Sequence, residues 1–523
     1  MLAEFLTLSV ALFNDSVDRM ANPTNSTQKR PTVVAIVGGG ITGATAAATL
    51  AQYAQLQNGE NSLLEIHVLD QGRRGPGGRA SHRSVDMTTK QVVVKDEQAQ
   101  VDTESTTTSS SCYEFDHGCQ FFRADTHEFQ TQLLQPWLDK GWVAPWKGRF
   151  SGTSSDTSGD FFGIPTRREP VYIGVGGMHT LPQRLIHHNH QHIQLHAGTR
   201  VSSVQRRRTS IREEDQIEPL SWNIYGTWGT KAYHDTKLPA DNTSPSMTSV
   251  KDEDALLLMA DIVIFTDISS AAESWHRASA GIPQTLQAQL PMKVRLPLFS
   301  CMVALDRPVT GEIQLDGLTC NNAKENDKSI SSPLWFAARS QSKPGFPQSI
   351  NNLQHECWTL ISTPAYAVDQ IAKVPMRDPI TGAFLPQDND YLNSIPGPDL
   401  FQAFCDAIKP LLKHGSNPPK AVYLQAQRWG SGLPVSEGIV PDKSHLHDIH
   451  GSRYASAVSS LVYDRPSDAS HQQDFVALDG ERLYYAGDFC SYRNPGMEAA
   501  ALSGLDVAKH ILSQLGHSYN IVD

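Results

Sequence analysis

The chain has 523 residues, 39% of them hydrophobic, and a formal net charge of −11 at pH 7. This length allows about two to four domains, and the acidic balance argues against a nucleic-acid-binding protein, which would show a basic face. No run of about 18 apolar residues occurs, so we expect no transmembrane helix. The seven scattered cysteines include no Cys-x-x-Cys pair, which argues against a disulfide scaffold and favours a reducing compartment.

The first thirty residues read as a tail. Residues 5–13 are apolar like the core of a signal peptide, but Glu4 precedes them and no basic segment does. Met20 is an alternative start. We expect a cytoplasmic protein, with organelle or secretory targeting by this segment left open.

A glycine motif follows a short apolar run at residues 33–37. Gly38, Gly40 and Gly43 form Gly-x-Gly-x-x-Gly, and an alanine-rich segment comes next. Strand, glycine turn and helix in this order predict a dinucleotide-binding unit. Gly38 permits the tight turn, Gly40 lets a pyrophosphate approach the backbone, and Gly43 lets the helix pack on the strand. The helix N-terminus offers its free N–H groups to phosphates.

The next predicted strand, residues 64–70, ends in Asp70, where a carboxylate can accept hydrogen bonds from a ribose diol. The alternative is an ordinary βαβ unit with a surface aspartate. A glycine- and arginine-rich loop over residues 71–81 follows at the cofactor edge of the sheet. Its backbone and Arg79 are predicted to face phosphate or flavin oxygens rather than solvent.

Further along, the pattern predicts a helix over residues 129–140, closed by Gly141, and a buried strand over residues 260–267 that returns to the first sheet. Alternating patterns across residues 291–435 predict an antiparallel sheet, with residues 429–434 as a turn at its end.

Polar segments interrupt these elements. Residues 88–111 and 231–254 read as insertions, and residues 151–160 as a linker. The histidine-rich stretches at residues 187–192 and 445–450 have no acidic or cysteine partner at ligand spacing, so we predict no metal site.

The last informative segment, residues 483–504, reads as a strand, then Gly487-Asp488, a loop, and a helix beginning near Gly496. Asp488 is placed to bond ribityl hydroxyls, and the helix N-terminus to face the flavin N1/C2=O edge. The small residues of this helix predict close packing on the first βαβ unit. A nucleotide site built from both chain ends is typical of large flavoproteins.

Together these stretches resemble the renalase-like branch of the flavin amine oxidase superfamily, an NAD(P)/FAD-dependent oxidoreductase group. The matching stretches are VVAIVGGGITG, GRRGPGGRASHR, FDHGCQFF, VYIGVGGMHTLP, RWGSGLP and YYAGDFCSYRNPGMEAAALSG. The resemblance spans roughly residues 31–515. Cys119 departs from the pattern, since an alanine is common there, which leaves the substrate preference open.

The resemblance implies an α/β protein with non-covalent FAD, a Rossmann-like FAD-binding domain with a parallel sheet, and an antiparallel-sheet substrate domain. Implied flavin-contacting residues are Gly38, Gly40, Thr42, Gly43, Asp70, Arg79, Gln120, Gly487, Asp488 and Met497. The expected organisation is a tail at 1–30, FAD-binding segments at 31–123, 171–290 and 436–523, and substrate-domain segments at 124–170 and 291–435.

The implied chemistry is hydride transfer from a small reduced substrate, a dihydronicotinamide such as NAD(P)H or an amine, to the flavin, with reoxidation by O2. We name no catalytic acid or base, because a dihydronicotinamide donor needs none. His117 and Trp429 are candidates for the substrate side of the ring. Two alternatives stay open: a desaturase-like or isomerase-like flavoenzyme with an apolar substrate, and a flavin-binding protein without turnover.

Overall fold

The computed structural model describes most of the chain between Arg30 and Gly516. The described residues are 30–56, 64–72, 75–93, 112–152, 170–207, 220–228, 254–266, 282–290, 293–320, 332–347, 355–375, 385, 387–436, 473–493 and 495–516.

The strands of these residues are numbered in chain order. They are β1 Thr32–Val37, β2 Leu64–Asp70, β3 His82–Asp86, β4 Val92–Val93, β5 Cys112–Asp116, β6 Val143–Pro145, β7 Phe150–Gly152, β8 Tyr172–Gly174, β9 Ile193–Ala197, β10 Arg200–Arg206, β11 Trp222–Thr227, β12 Ala255–Ala260, β13 Ile262–Phe265, β14 Lys293–Leu305, β15 Gly317–Thr319, β16 Leu334–Arg339, β17 Glu356–Ser362, β18 Ala421–Ser436, β19 Phe475–Leu478 and β20 Leu483–Ala486.

The helices are numbered in the same way. They are α1 Ile41–Leu56, α2 over residues 127–139 with an internal π-helical turn, α3 Thr180–His187, α4 Gln284–Gln287, α5 Thr310–Ile313, α6 Pro364–Lys373, α7 Asn389–Ser394, α8 Pro396–Ile408 and α9 Met497–Gln514. Short 3₁₀ turns lie at Gly78–Ala80, Ser340–Ser342, Lys409–Leu411 and Asp479–Glu481.

The first sheet has the strand order β19-β20-β13-β1-β2-β9, and every pair except β19–β20 is parallel. The strands predicted at residues 33–37, 64–70 and 260–267 all lie in it, so the α/β prediction is confirmed. Both faces of β1 are buried: Val34 and Ile36 face one core, while Ala35 and Val37 face the other. A strand covered on both sides explains the uninterrupted apolar run.

Helices α1 and α9 cover one face of this sheet and pack against each other. A Cβ placed on Gly504 of α9 would lie only 2.3 Å from the carbonyl oxygen of Thr42 in α1. The two backbones therefore approach as closely as glycine allows, which confirms the predicted packing of the C-terminal helix. This contact brings the N-terminal and C-terminal segments of the described chain together on one face of the sheet.

The second sheet has the order β18-β14-β17-β16-β15-β7. Its pairs are antiparallel except β15–β7, which is parallel. The antiparallel prediction for residues 291–435 is confirmed, and β7 joins from the earlier segment. On one face of β17, Trp358 packs against Phe404 of α8, and on the other face Cys357 packs against Phe115 of β5. Strand β5 is thereby held against the second sheet.

The turn predicted at residues 429–434 is wrong, because these residues continue β18 against β14. The pairing passes from Leu298–Trp429 to Leu296–Leu433, so residues 430–432 form a bulge. A Cβ on Gly432 would come within 2.9 Å of the Leu298 side chain. The glycines here permit a bulge and a close approach of the two strands. In a sequence, a glycine with either role cannot be distinguished from a glycine at a turn.

Parts of the polar segments that were predicted to be insertions or a linker form regular structure. Residues 88–93 form a turn and β4, which pairs with β3, and residues 151–152 belong to β7. The remainders of these segments, residues 94–111 and 153–160, lie outside the described residues, as do residues 231–253 and the histidine-rich stretch 445–450. The predicted C-cap glycine is confirmed, since Gly141 has φ +65° just after α2.

No helix among the described residues combines the length and the apolar character that crossing a membrane requires.

Candidate functional site

The structure itself accounts for two of the three glycines of the motif. Gly38 has φ +108°, a left-handed conformation that a side chain disfavours. A Cβ on Gly43 would lie 2.0 Å from the Gly38 carbonyl oxygen. A Cβ on Gly40 would meet no atom within 4 Å, and its φ is not positive. The protein's own packing therefore requires glycine at positions 38 and 43, but not at position 40.

Asp70 ends β2 beside this motif, as predicted. Its Oδ2 accepts a hydrogen bond from the Gly39 amide at 2.6 Å, and its Oδ1 accepts one from the Gly72 amide at 2.7 Å. The side chain is fixed by these two bonds, yet a carboxylate oxygen can accept more than one hydrogen bond. Asp70 is thus held at the strand end by two backbone amides.

Two more glycines face the N-terminus of α1 from distant parts of the chain. Gly78 has φ +53°, and its Cβ would lie 3.6 Å from the Gly40 Cα. Gly487 has φ +139°, and its Cβ would lie 3.8 Å from Thr42 Oγ1. Five of the predicted cofactor residues therefore converge here: Gly38, Gly40, Thr42, Gly43 and Gly487. Backbone without side chains at a helix N-terminus suits a phosphate group.

Arg79 and Asp488, each predicted to face the cofactor, are joined to one another. The guanidinium makes a two-pronged contact with the carboxylate, at 2.9 Å from Nη1 to Oδ2 and 2.5 Å from Nη2 to Oδ1. Arg79 Nη1 also donates to the Gly432 carbonyl at 3.1 Å. The pair links the 75–80 loop, the C-terminal segment and the bulge of β18. The sequence showed both residues but not their partnership.

Met497 is the first residue of α9. Its side chain is buried in the core that also contains Ala44 and Ala47 of α1. The predicted residue is therefore the first residue of α9 and packs in the core that α9 shares with α1.

His117 and Trp429, predicted on the substrate side, are in contact. Their rings stack with centroids 5.5 Å apart and planes 23° apart. The Trp429 indole N–H lies 3.0 Å from the His117 carbonyl oxygen and 3.1 Å from Ser300 Oγ, and can donate to either. A Cβ on Gly118 would lie 3.1 Å from the Trp429 ring and 2.1 Å from the Arg79 carbonyl oxygen. The 117–121 loop thus fits between the Arg79 loop and the second sheet.

Gln120 is fully buried and its amide is engaged inside the protein. Its Nε2 donates to the carbonyl oxygens of Asp116 and Gly118, and its Oε1 accepts from Lys343 Nζ at 3.1 Å. Next to it, burial and the charge of Asp116 raise the pKa of the Cys119 thiol to about 11, so this cysteine stays protonated. Gln120 holds the loop in the structure, and its predicted contact with the cofactor remains a proposal.

Sequence reasoning missed a group of buried charges beneath this loop. These residues are His82, Glu114, Asp116 and Lys343. Asp116 lies in the quoted stretch FDHGCQFF, which carried a signal for it. Lys343 lies in a polar Ser-Gln-Ser-Lys turn, where no feature of the local sequence indicated a buried charge.

The same region contains a set that is compact enough for a metal ion. One ligand atom each of His82, Asp116 and His179 lie within 4.8 Å of one another. However, Asp116 already accepts from the Lys343 ammonium at 3.0 Å, and both ring nitrogens of His82 bond carboxylates. A dication beside a buried ammonium would be repelled, so we interpret the set as an ion-pair cluster.

A family model described as an NAD(P)-binding Rossmann-like domain matches residues 36–131, the segment that runs from the end of β1 through α1, β2 and the Arg79 loop. A search of curated protein sequences returned no match.

Three solved structures are similar to the chain at low identity. Cyclohexylamine oxidase from Brevibacterium oxydans IH-35A is 11% identical, with a TM-score of 0.47, over 93% of this chain and 100% of that one. Reduced UDP-galactopyranose mutase is 10% identical, with a TM-score of 0.46, over 93% and 94%. The p-nitrophenol 4-monooxygenase PnpA from Pseudomonas putida DLL-E4 is 11% identical, with a TM-score of 0.38, over 94% and 81%. Residues 36–131 are thus matched as a Rossmann-like nucleotide-binding domain, within an α/β fold that carries separate antiparallel sheets.

Proposed function

We propose that the chain is an FAD-dependent oxidoreductase that holds FAD non-covalently and transfers a hydride from a small reduced substrate to it, with O2 as the reoxidant. One observation carries the proposal. A Cβ on Gly40 would point into open space at the N-terminus of α1, so the fold itself has no need of glycine there. A pyrophosphate that approaches the backbone explains that glycine.

The described residues fit such a cofactor along its length. The loop from Gly38 to Gly43 would hold the pyrophosphate, and Asp70 the ribose diol. Asp488, paired with Arg79, would meet the ribityl chain. The N-terminus of α9, at Met497, would face the end of the flavin that becomes negative on reduction.

The flavin would supply the redox chemistry, and the protein's part is orientation and electrostatics. His117 and Trp429 form a stacked wall that would bound the substrate side. Asp116 is paired with Lys343 and Asp488 with Arg79, so neither of these two carboxylates is available to take a proton from an amine. A dihydronicotinamide gives up its hydride without a base and is therefore the favoured donor.

We expect the purified protein to be yellow, to release FAD on heating, and to be bleached anaerobically by a dihydronicotinamide faster than by simple primary amines. Stopped-flow absorbance of the flavin, with NADH, NADPH, their isomers and a panel of amines, measures this directly. Bleaching by amines alone would refute the donor class but keep the oxidoreductase. Bleaching by dithionite alone would favour the desaturase-like, isomerase-like or non-catalytic alternatives.

A further inference from the structure

Four charged side chains lie side by side in the interior, and we call them the buried tetrad. They are His82 of β3, Glu114 and Asp116 of β5, and Lys343 of the turn between β16 and β17. Each side chain is at most 8% exposed. With His82 protonated, the two positive and two negative charges cancel. Charges that are buried this deeply persist only when they are paired and hydrogen-bonded.

The contacts within the tetrad run in one chain. His82 Nε2 lies 2.6 Å from Glu114 Oε2, and its Nδ1 lies 3.1 Å from Asp116 Oδ1. Lys343 Nζ donates to the other oxygen, Asp116 Oδ2, at 3.0 Å. An imidazole can donate from both nitrogens only as the imidazolium. The geometry therefore selects the charged form of His82.

The electrostatics agree with this geometry. Burial alone would lower the pKa of His82, but the hydrogen bonds to Asp116 and Glu114 outweigh it, and the pKa is raised. Burial would likewise raise the pKa of Asp116, but Lys343 and His82 hold it well below its usual value. Within the described residues, the ionisable ring that stacks on His82 is the imidazole of His179, with the ring centroids 4.5 Å apart.

The tetrad is bonded directly to the loop that forms the candidate flavin site. Lys343 Nζ donates to Gln120 Oε1 at 3.1 Å, and Gln120 Nε2 donates to the Asp116 carbonyl oxygen at 2.7 Å. That carbonyl oxygen also accepts from Thr359 Oγ1 of β17 at 3.0 Å. The loop's first residue, His117, stacks on Trp429. One continuous set of bonds thus joins the tetrad, the 117–121 loop and the second sheet.

We propose that His82 and Lys343 are positioning residues: by neutralising Glu114 and Asp116 they hold the 117–121 loop between the Arg79 loop and the second sheet, and so fix the position of the His117–Trp429 wall. Their hydrogen bonds described above end at Glu114, Asp116 and Gln120. The role at a flavin rests on the proposed function, whereas the effect on the loop does not.

The first test introduces the substitution Lys343→Met into the full chain, which is then purified as the wild type is. Lys373→Met is the matched control. Lys373 is paired with Asp369 on the surface of α6, and both side chains are more than half exposed. Removing one member of a buried pair leaves an uncompensated charge, so we expect Lys343→Met to lower the melting temperature by roughly 5 °C or more. The control should stay within about 2 °C.

The measurements that test positioning report on the His117–Trp429 wall and on the flavin site beside it. Lys343→Met should alter the near-ultraviolet circular dichroism of the aromatic side chains and shift the visible spectrum of the bound flavin. It should slow anaerobic flavin reduction by at least about tenfold, because small displacements of reacting groups cost large factors in rate. The double variant Asp116→Asn/Lys343→Met restores the charge balance and should recover part of the lost melting temperature.

A second test uses pH and His82→Gln, which keeps hydrogen bonding but not the charge. The pKa of His82 is raised in the fold above its unfolded value of about 6.5. Its stabilisation is therefore fully present below about pH 6.5 and is lost as the pH rises through the raised pKa. The melting-temperature difference between wild type and His82→Gln should be largest near pH 6 and should shrink towards pH 9.

Each result decides the matter. A melting loss with unchanged circular dichroism, flavin spectrum and reduction rate would make the tetrad purely structural and overturn the proposal, as would a Lys343→Met variant that matches its control. A double variant less stable than Lys343→Met would overturn the charge-balance argument. If the wild type holds no flavin, the proposed function fails, while the circular dichroism and the pH series still test the tetrad.

Discussion

Replacing Gly40→Val is expected to abolish flavin retention while the fold survives. A Cβ at this position meets no protein atom within 4 Å and needs no unusual backbone conformation. The branched side chain would instead occupy the space that we assign to the pyrophosphate. We expect the affinity for FAD to fall by at least about tenfold, which corresponds to about 1.4 kcal/mol, as measured by the flavin released per protein on heating and by titration of the apoprotein.

The stability comparison must be made between flavin-free proteins, because a bound ligand stabilises the native state by itself. Melting temperatures of wild-type and Gly40→Val apoprotein should agree within about 2 °C. Gly40→Ala should show a smaller loss of flavin in the same direction. A Gly40→Val protein that stayed fully yellow would refute the assignment of this loop, and with it the observation on which the proposed function depends.

The substitution Gly504→Ala is expected to destabilise the protein, although alanine has the higher helix propensity. Alanine in the interior of a helix is favoured over glycine by about 1 kcal/mol. Here the added Cβ would lie 2.3 Å from the Thr42 carbonyl oxygen of α1, and a packed backbone atom has little room to move. We expect overpacking to win, with a net loss of roughly 1–3 kcal/mol in the free energy of unfolding, as measured by denaturant titration of the apoprotein.

Gly311→Ala in α5 is the matched control, because a Cβ there meets nothing within 4 Å. It should be neutral or slightly stabilising. The affinity of Gly504→Ala for FAD should fall as well. Pushing α9 away from α1 would displace the N-terminal turn of α1, which contains Thr42. Equal effects of the two substitutions on stability would show that α1 and α9 are not in the close contact described above.

The first βαβ unit could be predicted almost residue by residue, because its determinants are local. An apolar run, a glycine at positive φ and a helix-forming segment each depend on neighbours in the chain. Residues 64–70 form β2 with the predicted bounds. The bulge at residues 430–432 was missed for the opposite reason: its hydrogen-bond partners are in β14, more than a hundred residues earlier. Local sequence does not distinguish a glycine at a bulge from one at a turn.

By itself, the sequence determined the Rossmann-like unit, the antiparallel character of the second sheet, and the chemistry available at Gly40, Asp70, Arg79 and Asp488. These follow from periodicity and residue type. Only the tertiary structure decided that Arg79 pairs with Asp488, and that Lys343 reaches Asp116 across 227 positions of the chain. A buried charge is tolerated only next to its partner, and which partner comes within about 3 Å depends on how distant segments of the chain pack together.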